Sequence, residues 1–361
     1  MRTAVVVGAG IGGLAVAGAL ARADWQVTLL EREERIRLGR AALLLWPNGV
    51  RALRTLGLDD GLDAIATPVP AIGGEATYVV HHEDLHDALV AGLGDRIDIR
   101  TGVTVRTVRA DEYRPAVGDG RNTWEADLVV AADGVRSAVR QRLVPASVPV
   151  SSRVAWRAVI PWYRAPQLPA GVPVAGEMLS GRQRFLHASL GERGSAGASN
   201  RGGIYWMATV PGAARPEPPE VQLALLRRWF AGWHETVGTL LAATEPEDLV
   251  QETISALRPM PESFVFPGGG GGYVLLGDAA HAFADHPGQG ACLALADAVA
   301  LQALVRDAAP GPALIDALRD YQRACRPRVA RLARRNRLAR LALLGSLITE
   351  SLGRQSTRNS R

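Results

Sequence analysis

The sequence predicts an α/β fold with a Rossmann-type nucleotide-binding domain, in which the main sheet is parallel or mixed. Residues 3–7, 129–132 and 273–276 are three short apolar runs. Runs of this kind are typical of parallel strands buried on both faces. The second run ends at Asp133 and the third is followed closely by Asp278. Both carboxylates are therefore expected at the carboxyl ends of strands, where open α/β sheets bind ligands.

A glycine-rich loop follows the first run. Gly8, Gly10 and Gly13 match the spacing G-x-G-x-x-G and precede an alanine-rich helix that we expect to end near Ala23. The first glycine permits the tight turn, the second lets the backbone approach a pyrophosphate, and the third lets helix and strand pack closely. The helix N-terminus adds free amides and positive potential. The loop is therefore predicted to bind a dinucleotide diphosphate.

The next predicted strand, residues 26–30, ends in Glu31, which lies 18 residues beyond Gly13. An acidic residue at this place accepts hydrogen bonds from a ribose and repels a 2′-phosphate. This favours FAD or NAD over NADP at the loop. The glycine spacing alone can arise in an ordinary turn, but the strand, the helix, Glu31 and the two later aspartates together indicate a nucleotide site.

With these motifs in place, the chain resembles the flavin-dependent aromatic hydroxylases of the para-hydroxybenzoate hydroxylase fold, the class A flavoprotein monooxygenases. Within that family it is most similar to the salicylate-hydroxylase-like branch. The resemblance extends from residue 3 to about residue 340. It is carried by three segments in order: the glycine loop, residues 133–140 (DGVRSAVR), and residues 277–281 (GDAAH) followed by 288–290 (GQG).

The resemblance implies an enzyme that holds FAD, takes hydride from NADH or NADPH, and inserts one oxygen atom of O2 into a substrate through a flavin C4a-hydroperoxide. The substrate would be a small aromatic or polycyclic molecule, secondary metabolites included. Epoxidation, Baeyer-Villiger oxidation or reduction on the same fold remains the alternative. FAD itself would carry the oxygen chemistry, while the protein orients the reactants and excludes water.

The resemblance also assigns cofactor residues. Asp278 would bind the ribityl chain, Asp133 and Gly134 would lie by the pyrophosphate and the nicotinamide path, and the helix opened by Gly288, Gln289 and Gly290 would face the flavin pyrimidine. Its N-terminal amides would stabilise the negative charge of a reduced flavin. The remaining positions expected to contact FAD are Gly12, Arg32, Arg40, Gly277, Pro287 and Ala291.

Two departures from the family pattern lie beside the expected flavin. Asp285 stands where the family usually has proline, and there it would tune oxygen activation or act as a base toward substrate. His82 stands where the family usually has an arginine that contacts FAD. An imidazole offers fewer donors and no fixed charge, so we expect weaker FAD binding.

His82 and His86 also form an H-E-x-x-H pattern with Glu83. On a helix the two imidazoles could share a face as zinc ligands, with Glu83 as the base of a hydrolase. No third ligand follows at Leu89, and the segment coincides with a family element of other use. We therefore keep a zinc hydrolase as the remote alternative and expect no metal.

We expect a discontinuous FAD-binding domain at residues 1–150 and 267–345, and a smaller antiparallel-sheet substrate domain at residues 151–266. Residues 154–161, 184–189 and 204–210 are the predicted strands of that sheet. Candidates for positioning or activating substrate are Arg157, Arg184, His187, Tyr205, Asp285 and His286, each of which could instead be a surface or core residue. C-terminal helices would follow, and residues 346–361 are expected to be a disordered tail.

Composition excludes several function classes. All 41 basic residues are arginine, so P-loop and Schiff-base lysine chemistry are absent. The two cysteines, Cys292 and Cys325, form no C-x-x-C motif, which favours a reducing cytoplasm. The arginines of residues 326–340 alternate with apolar residues at helical spacing, so we expect a solvated helix face and no nucleic acid partner. We expect no targeting or transmembrane segment, and a monomer or homodimer.

Overall fold

The computed structural model describes residues 1–36, 41–72, 74–109, 113–191, 202–283 and 289–356. Its strands are β1 (Arg2–Val7), β2 (Trp25–Leu30), β3 (Ala42–Leu45), β4 (Ala66–Ile72), β5 (Glu75–His81), β6 (Ile97–Arg100), β7 (Thr107–Arg109), β8 (Ala116–Gly118), β9 (Thr123–Glu125), β10 (Leu128–Ala131), β11 (Val148–Pro161), β12 (Ala175–Ser180), β13 (Gln183–Ser189), β14 (Gly203–Pro211), β15 (Val250–Arg258), β16 (Val265–Gly268) and β17 (Gly271–Leu275).

The helices are α1 (Ile11–Arg22), α2 (Pro47–Thr55), α3 (Asp59–Ile65), α4 (His82–Ala91), α5 (Ala138–Leu143), α6 (Pro219–Trp229), α7 (Glu235–Ala243), α8 (Asp278–His281), α9 (Gln289–Val305) and α10 (Pro312–Ser356). No helix in the described ranges is long and apolar enough to cross a membrane.

The largest sheet has six strands in the order β16-β17-β10-β1-β2-β6. All neighbours are parallel except β16, which pairs antiparallel with β17. In the register, Val7 lies beside Ala131, and Ala131 lies beside Leu275. The three predicted strands therefore end side by side, and the turns that follow them meet at one edge of the sheet. The predicted Rossmann-type fold is confirmed.

Apolar side chains bury this sheet on both faces. Strand β10 is fully buried along its length, as expected for a central parallel strand. Helix α1 packs against β2 and α9, and α9 packs in turn against α10. Helix α1 has ten buried residues among its twelve, which explains why its sequence is apolar on all sides.

The second sheet has five strands in the order β12-β13-β14-β11-β15, and all its neighbours are antiparallel. This confirms the predicted strands of the substrate region. Trp156, Phe185 and Trp206 lie on the face covered by α6 and α7, in a core separate from that of the parallel sheet. Their alternate neighbours face the other way, toward the parallel sheet's ligand edge.

Two three-stranded sheets complete the fold, in the orders β3-β5-β4 and β7-β8-β9. Ala42 of β3 packs against a small cluster formed by Ala41, Val159 and Tyr205. Through this contact, β3 and its neighbours close a space between the two larger sheets. The two separate hydrophobic cores are consistent with the domain division at residues 151 and 266, which stays a prediction.

The C-terminal region differs from expectation. Helix α10 continues to Ser356, so the structure describes helix where the sequence predicts a disordered tail from residue 346. Leucine and alanine dominate residues 338–347, and both are good helix formers. Residues 357–361 lie outside the described part. In α10 as far as residue 334, Val329 is buried while Arg326, Arg331 and Arg334 are exposed, as predicted for a solvated face. Arg328 differs, because it donates to the buried Asp297.

Candidate active site

The glycine loop after β1 packs against protein on one side and borders free space on the other. Gly8 has a φ of 97°, and a Cβ there would lie 2.6 Å from the Ala132 carbonyl oxygen. A Cβ on Gly13 would lie 1.8 Å from the Gly8 carbonyl oxygen, so the start of α1 rests directly on the loop. A Cβ on Gly10 would meet no atom within 4 Å. The loop thus presents the open N-terminus of α1 to a space that a diphosphate can enter.

Glu31 is held by backbone amides at the end of β2. Its Oε2 accepts a hydrogen bond from Ala9 N at 2.7 Å, and its Oε1 accepts one from Glu33 N at 3.0 Å. The carboxylate therefore fixes the glycine loop and keeps lone pairs for a ribose hydroxyl. Arg32 is exposed, with its Nε 3.2 Å from Glu33 Oε1. Arg40 lies outside the described residues.

Asp133 is engaged mainly by helix α5. Its Oδ2 accepts a hydrogen bond from Ala138 N at 2.8 Å, while its buried Oδ1 has no hydrogen-bond partner among the described residues. Burial raises the pKa of Asp133, and hydrogen bonds from Ser137 and the α5 backbone oppose that shift. The next residue, Gly134, has a φ of 77° and borders the free space, whereas Asp133 is not part of the lining. The expected cofactor role of Asp133 stays a prediction.

Arg140 joins the Asp133 segment to the Asp278 helix. The side chain is fully buried and donates to the carbonyl oxygens of Val135 at 2.6 Å, Ala279 at 3.2 Å and Ser147 at 3.3 Å. A planar guanidinium suits this arrangement because it offers five donors in fixed directions. Arg140 belongs to the quoted motif, but the sequence did not reveal this bridging role.

Asp278 begins α8 and projects into the free space. Gly277 precedes it with a φ of 60°, and a Cβ on Gly290 of α9 would lie 3.5 Å from Asp278 Oδ1. The side chain is open to the cavity, yet protein encloses it from several sides. This enclosure raises the pKa of Asp278 by desolvation, and the nearby His281 opposes the shift. A carboxylate so placed is suited to bind hydroxyl groups of a ligand.

A buried polar network supports this turn from behind. His281 Nε2 lies 2.6 Å from Asp297 Oδ2, and Arg328 of α10 donates to Asp297 Oδ1. Burial alone would raise the pKa of Asp297, but His281 and Arg328 outweigh it and hold the pKa below its usual value. Asp297 Oδ2 also accepts from Gly277 N at 3.4 Å. The network ties α8, α9 and α10 to the backbone that carries Asp278.

The segment before α9 is outside the described residues, and it includes Asp285, His286, Pro287 and Gly288. Their predicted roles stay predictions. Helix α9 begins at Gln289, and Gly290 and Ala291 line the free space. The amides of the first turn of α9 therefore lie beside Asp278. Gly12 closes this region from the α1 side, where its Cβ would lie 3.0 Å from the Ala294 Cβ.

His82 lines the same space at the first residue of α4. Its backbone amide donates to Ala41 O at 2.9 Å. His86 is buried, with Nδ1 3.5 Å from Asp87 Oδ1. Within the described residues, no three His, Cys, Asp or Glu side chains are grouped so as to hold a metal ion. The structure therefore gives the zinc alternative no support.

Two ion pairs of the described residues lie on the face of the antiparallel sheet that is turned away from α6 and α7. Arg157 Nη2 on β11 lies 2.8 Å from Glu252 Oε2 on β15. Arg184 Nε on β13 lies 2.6 Å from Glu177 Oε1 on β12. Both pairs line the free space. The sequence analysis proposes both arginines as candidates. It does not identify Glu177 and Glu252, because only the pairing of the strands places them beside these arginines.

Tyr205 and His187 differ in placement. Tyr205 borders the free space and is 5% exposed. Burial raises the pKa of Tyr205, Glu252 adds to the shift and Arg157 opposes it, so the phenol stays protonated near neutral pH. By strand alternation His187 lies on the same face of β13 as Phe185, whereas Arg184 lies on the other face. His187 also borders the free space, and its Nε2 lies 3.3 Å from Pro173 O. Burial lowers the pKa of His187. These contacts favour a packing role for His187 over a catalytic one.

One continuous cavity of about 670 Å³ joins these elements. One side, which we name the cofactor wall, consists of Gly10, Gly12, Gly277, Asp278, Gly290 and Ala291. The facing side, the substrate wall, consists of Arg157, Glu177, Arg184, Tyr205, Met207 and Glu252. Leu43, Leu44 and Trp46 close the space with apolar surface. The cofactor wall and the adjoining end of β2 together meet the requirements of a flavin dinucleotide: an open helix N-terminus, a carboxylate at Glu31 suited to a ribose, and the Asp278 carboxylate inside the cavity.

Comparison with known proteins agrees with this geometry. A family model described as an FAD binding domain matches residues 94–336, and one described as an NAD(P)-binding Rossmann-like domain matches residues 6–42. The 2-heptyl-3-hydroxy-4(1H)-quinolone synthase of Mycobacteroides abscessus is 32% identical over 95% of this chain and 91% of its own. The aurachin C monooxygenase/isomerase of Stigmatella aurantiaca is 31% identical over 83% and 79%, respectively.

Among solved structures, HpxO of Klebsiella pneumoniae, complexed with FAD and uric acid, superposes with a TM-score of 0.77. It is 26% identical, and the match covers 97% of this chain and 92% of that one. The family model spans more than half of the chain, and the relatives are similar over most of their length. The chain belongs to the family of FAD-dependent aromatic hydroxylases and is an oxidoreductase that uses FAD as cofactor and NAD(P)H as reductant.

Proposed function

We propose that this monooxygenase inserts one oxygen atom of O2 into a small aromatic or polycyclic ring held between the cofactor wall and the substrate wall. The observation that carries the proposal is the single cavity, because it brings the nucleotide-binding loop, Asp278 and the first turn of α9 opposite Tyr205 and Arg157. A ring in this space lies within reach of a flavin on one side and polar side chains on the other.

The residues of the cofactor wall would hold FAD by distinct contacts. The amides at the start of α1 suit the pyrophosphate, Glu31 suits a ribose, and Asp278 suits the ribityl hydroxyls. Bound FAD supplies hydride acceptance from NAD(P)H and the activation of O2. The N-terminal amides of α9 favour negative charge near the pyrimidine end of the flavin. Asp285 remains our candidate for tuning oxygen activation, and His286 for contact with substrate.

The substrate wall would orient the ring. Protonated Tyr205 can donate one hydrogen bond to an oxygen of the substrate. The apolar surface of Leu43, Leu44 and Trp46 would hold the ring and exclude water from the reacting atoms. Arg157 would position the ring from the edge of the wall, while His187 would support the wall from behind.

A bicyclic heteroaromatic ring is the substrate type that we favour. One relative is named as the synthase of a quinolone and another as a monooxygenase/isomerase for aurachin C, and the HpxO structure contains uric acid. A quinolone and uric acid are both bicyclic rings that contain nitrogen. The cavity lies in the range of about 300–1,000 Å³ that is usual for small-molecule sites. We further propose a monomer or homodimer in the cytoplasm, where the buried thiols Cys292 and Cys325 form no disulfide in the described structure.

The test begins with the visible absorption spectrum of the purified protein after addition of FAD. Under nitrogen, NADH and NADPH are added separately, and the reductant that bleaches the flavin bands is identified. Air is then admitted with a candidate bicyclic substrate and 18O2. A product heavier by one 18O atom supports monooxygenation, and its structure separates hydroxylation from epoxidation or Baeyer-Villiger oxidation. A flavin that reoxidises without labelling any of a panel of aromatic rings would contradict the proposal.

A further inference from the structure

The substrate wall contains arginines that are already paired. Arg157 and Glu252 approach to 2.8 Å, and Arg184 and Glu177 approach to 2.6 Å. The side chains of Arg157 and Arg184 are 28% and 20% exposed, whereas those of Glu252 and Glu177 are 52% and 35% exposed, so each arginine is the more enclosed partner of its pair. An arginine in such a place would otherwise attract a carboxylate of the substrate. Here a carboxylate of the protein occupies that role.

Strand pairing explains how each glutamate reaches its arginine. Glu252 is opposite Ala155 in the β11–β15 ladder, two residues from Arg157 on the same face. Glu177 is opposite Leu186 in the β12–β13 ladder, two residues from Arg184 on the same face. Both contacts are diagonal cross-strand pairs, whose long side chains can meet. The pairing is therefore built into the register of the sheet on both sides of the wall.

The described lining of the cavity is balanced in charge. Its arginines are Arg153, Arg157 and Arg184, and its carboxylates are Glu177, Glu252 and Asp278. Arg153 has contacts of its own and is not a spare cation. The buried Nε atoms of Arg157 and Arg184 have no hydrogen-bond partner among the described residues, so the glutamates neutralise the charge of each arginine without satisfying all its donors. An aromatic carboxylate entering this lining would lose water and meet two glutamates beside arginines whose charge is already neutralised. An uncharged ring loses little hydration and leaves both pairs intact.

The Arg157–Glu252 pair lies where the two walls meet. Its charges act on Tyr205 of the substrate wall and on Asp278 of the cofactor wall, with opposite signs from the two partners. Removing Glu252 would therefore leave a net positive field between the expected flavin and the ring. That field would favour an anion at the position of the substrate.

We propose that Glu252 and Glu177 are specificity-determining residues that neutralise Arg157 and Arg184 and so restrict the cavity to uncharged aromatic substrates. This inference deepens the proposed function and rests on it. Replacing either glutamate with glutamine frees a cation, and aromatic carboxylates then become ligands. The substrate class is thus a ring that carries hydroxyl, carbonyl or amide groups but no carboxylate.

The test uses the FAD-loaded enzyme and two matched probes, salicylamide, which is uncharged at pH 6.5, and salicylate, which is an anion. Their dissociation constants are measured at pH 6.5 by perturbation of the flavin absorption spectrum and by calorimetry. The proteins compared are wild type, Glu252→Gln, Glu177→Gln and the double variant Arg157→Gln/Glu252→Gln. The double variant is the matched control because it also removes Glu252 but leaves no free cation.

We expect wild type to bind salicylamide about tenfold or more tightly than salicylate, the size of one lost charged hydrogen bond. We expect each single variant to bind salicylate about tenfold more tightly than wild type does, while the double variant shows no such gain. FAD content and thermal unfolding establish that each variant is folded, and Glu177→Gln tests the idea if Glu252→Gln does not fold.

Equal wild-type affinity for the two probes would overturn the inference. So would an absence of salicylate binding in every folded single variant, whatever salicylamide does, because a freed arginine must capture the carboxylate. An equal gain in the double variant would overturn it too, since the effect would not depend on the cation. The proposed function is tested separately by flavin reduction and 18O incorporation, so failure of catalysis with a normal binding pattern would implicate the function alone.

Discussion

The two walls of the cavity achieve polarity in different ways. Beside and behind the cofactor wall, carboxylates are fixed by the main chain: Glu31 accepts a hydrogen bond from Ala9 N, and the buried Asp297 accepts one from Gly277 N. On the substrate wall, charged groups are fixed by one another, as in the Arg157–Glu252 pair. The first arrangement allows little change without loss of the fold. The second can change by substitution of single side chains, which is how one fold accepts many substrates.

The largest expected effect comes from substitutions in the glycine loop, where one glycine is needed for protein stability and another for FAD binding. Gly13→Ala places a Cβ 1.8 Å from the Gly8 carbonyl oxygen, whereas Gly10→Ala adds one in open space. We expect Gly13→Ala to lower the free energy of unfolding by about 3 kcal/mol, measured by urea denaturation. Gly10→Ala should leave the stability of the apo-protein unchanged while weakening FAD binding. Equal stability loss in both variants would contradict the packing described here.

Asp278→Ala tests the carboxylate that projects from the cofactor wall. Loss of a charged hydrogen bond to the cofactor is expected to weaken FAD binding by about ten- to a hundredfold. The dissociation constant can be measured by fluorescence titration of the apo-protein. The exposed Asp98, which pairs with Arg100 at 2.9 Å, provides the control Asp98→Ala with no expected change. Full FAD retention in Asp278→Ala would remove this residue from the site.

Asp278→Asn tests whether the ionised carboxylate of Asp278 lowers the free energy of unfolding of the apo-protein. The pKa of Asp278 is raised by desolvation, so the folded protein binds its proton more tightly than the unfolded chain does. Its contribution to stability therefore falls as pH rises above the unfolded value of about 3.9. We expect apo Asp278→Asn to be more stable than wild type at pH 7, with the difference shrinking toward pH 4 in urea denaturation. A constant difference across that range would refute the linkage.

Tyr205→Phe tests the substrate wall without touching the cofactor wall. Loss of one neutral hydrogen bond is expected to weaken salicylamide binding by about two- to tenfold. FAD affinity should stay the same, which distinguishes this variant from those on the cofactor wall. If Tyr205→Phe weakened FAD binding but left the salicylamide affinity of the holoenzyme unchanged, Tyr205 would belong to the cofactor site and not to the substrate wall.

His82→Arg is expected to have the smallest effect. A guanidinium in the cavity lining would offer more donors and a fixed charge to the cofactor, so we expect FAD binding to tighten by a few fold, on the order of 1 kcal/mol. Fluorescence titration measures this change, and Arg319→Ala serves as the control, because Arg319 is exposed and pairs with Asp316 at 2.9 Å outside the cavity lining. An unchanged dissociation constant would mean that His82 does not contact FAD.

The cofactor side could be predicted in detail because its determinants are local. Strand β1, the glycine loop and α1 are continuous in sequence, and Glu31 follows at a fixed spacing. The strands of the antiparallel sheet could also be predicted, and the structure confirms them as β11, β13 and β14. The role of Arg140 could not be predicted, since its three carbonyl partners are brought together only when α5 and α8 meet.

The sequence by itself determined the parallel sheet and the nucleotide loop, because apolar runs and glycine spacing act over a few residues. The glycine spacing and Glu31 left FAD and NAD open, and the resemblance to flavin-dependent hydroxylases selected FAD. Only the tertiary structure decided which charges remain available to a substrate. Arg157 and Glu252 belong to strands separated by β12, β13 and β14 along the chain, and they meet because β11 and β15 pair at the edge of the sheet. Ion pairing across strands depends on register, and register is set by the packing of the whole sheet.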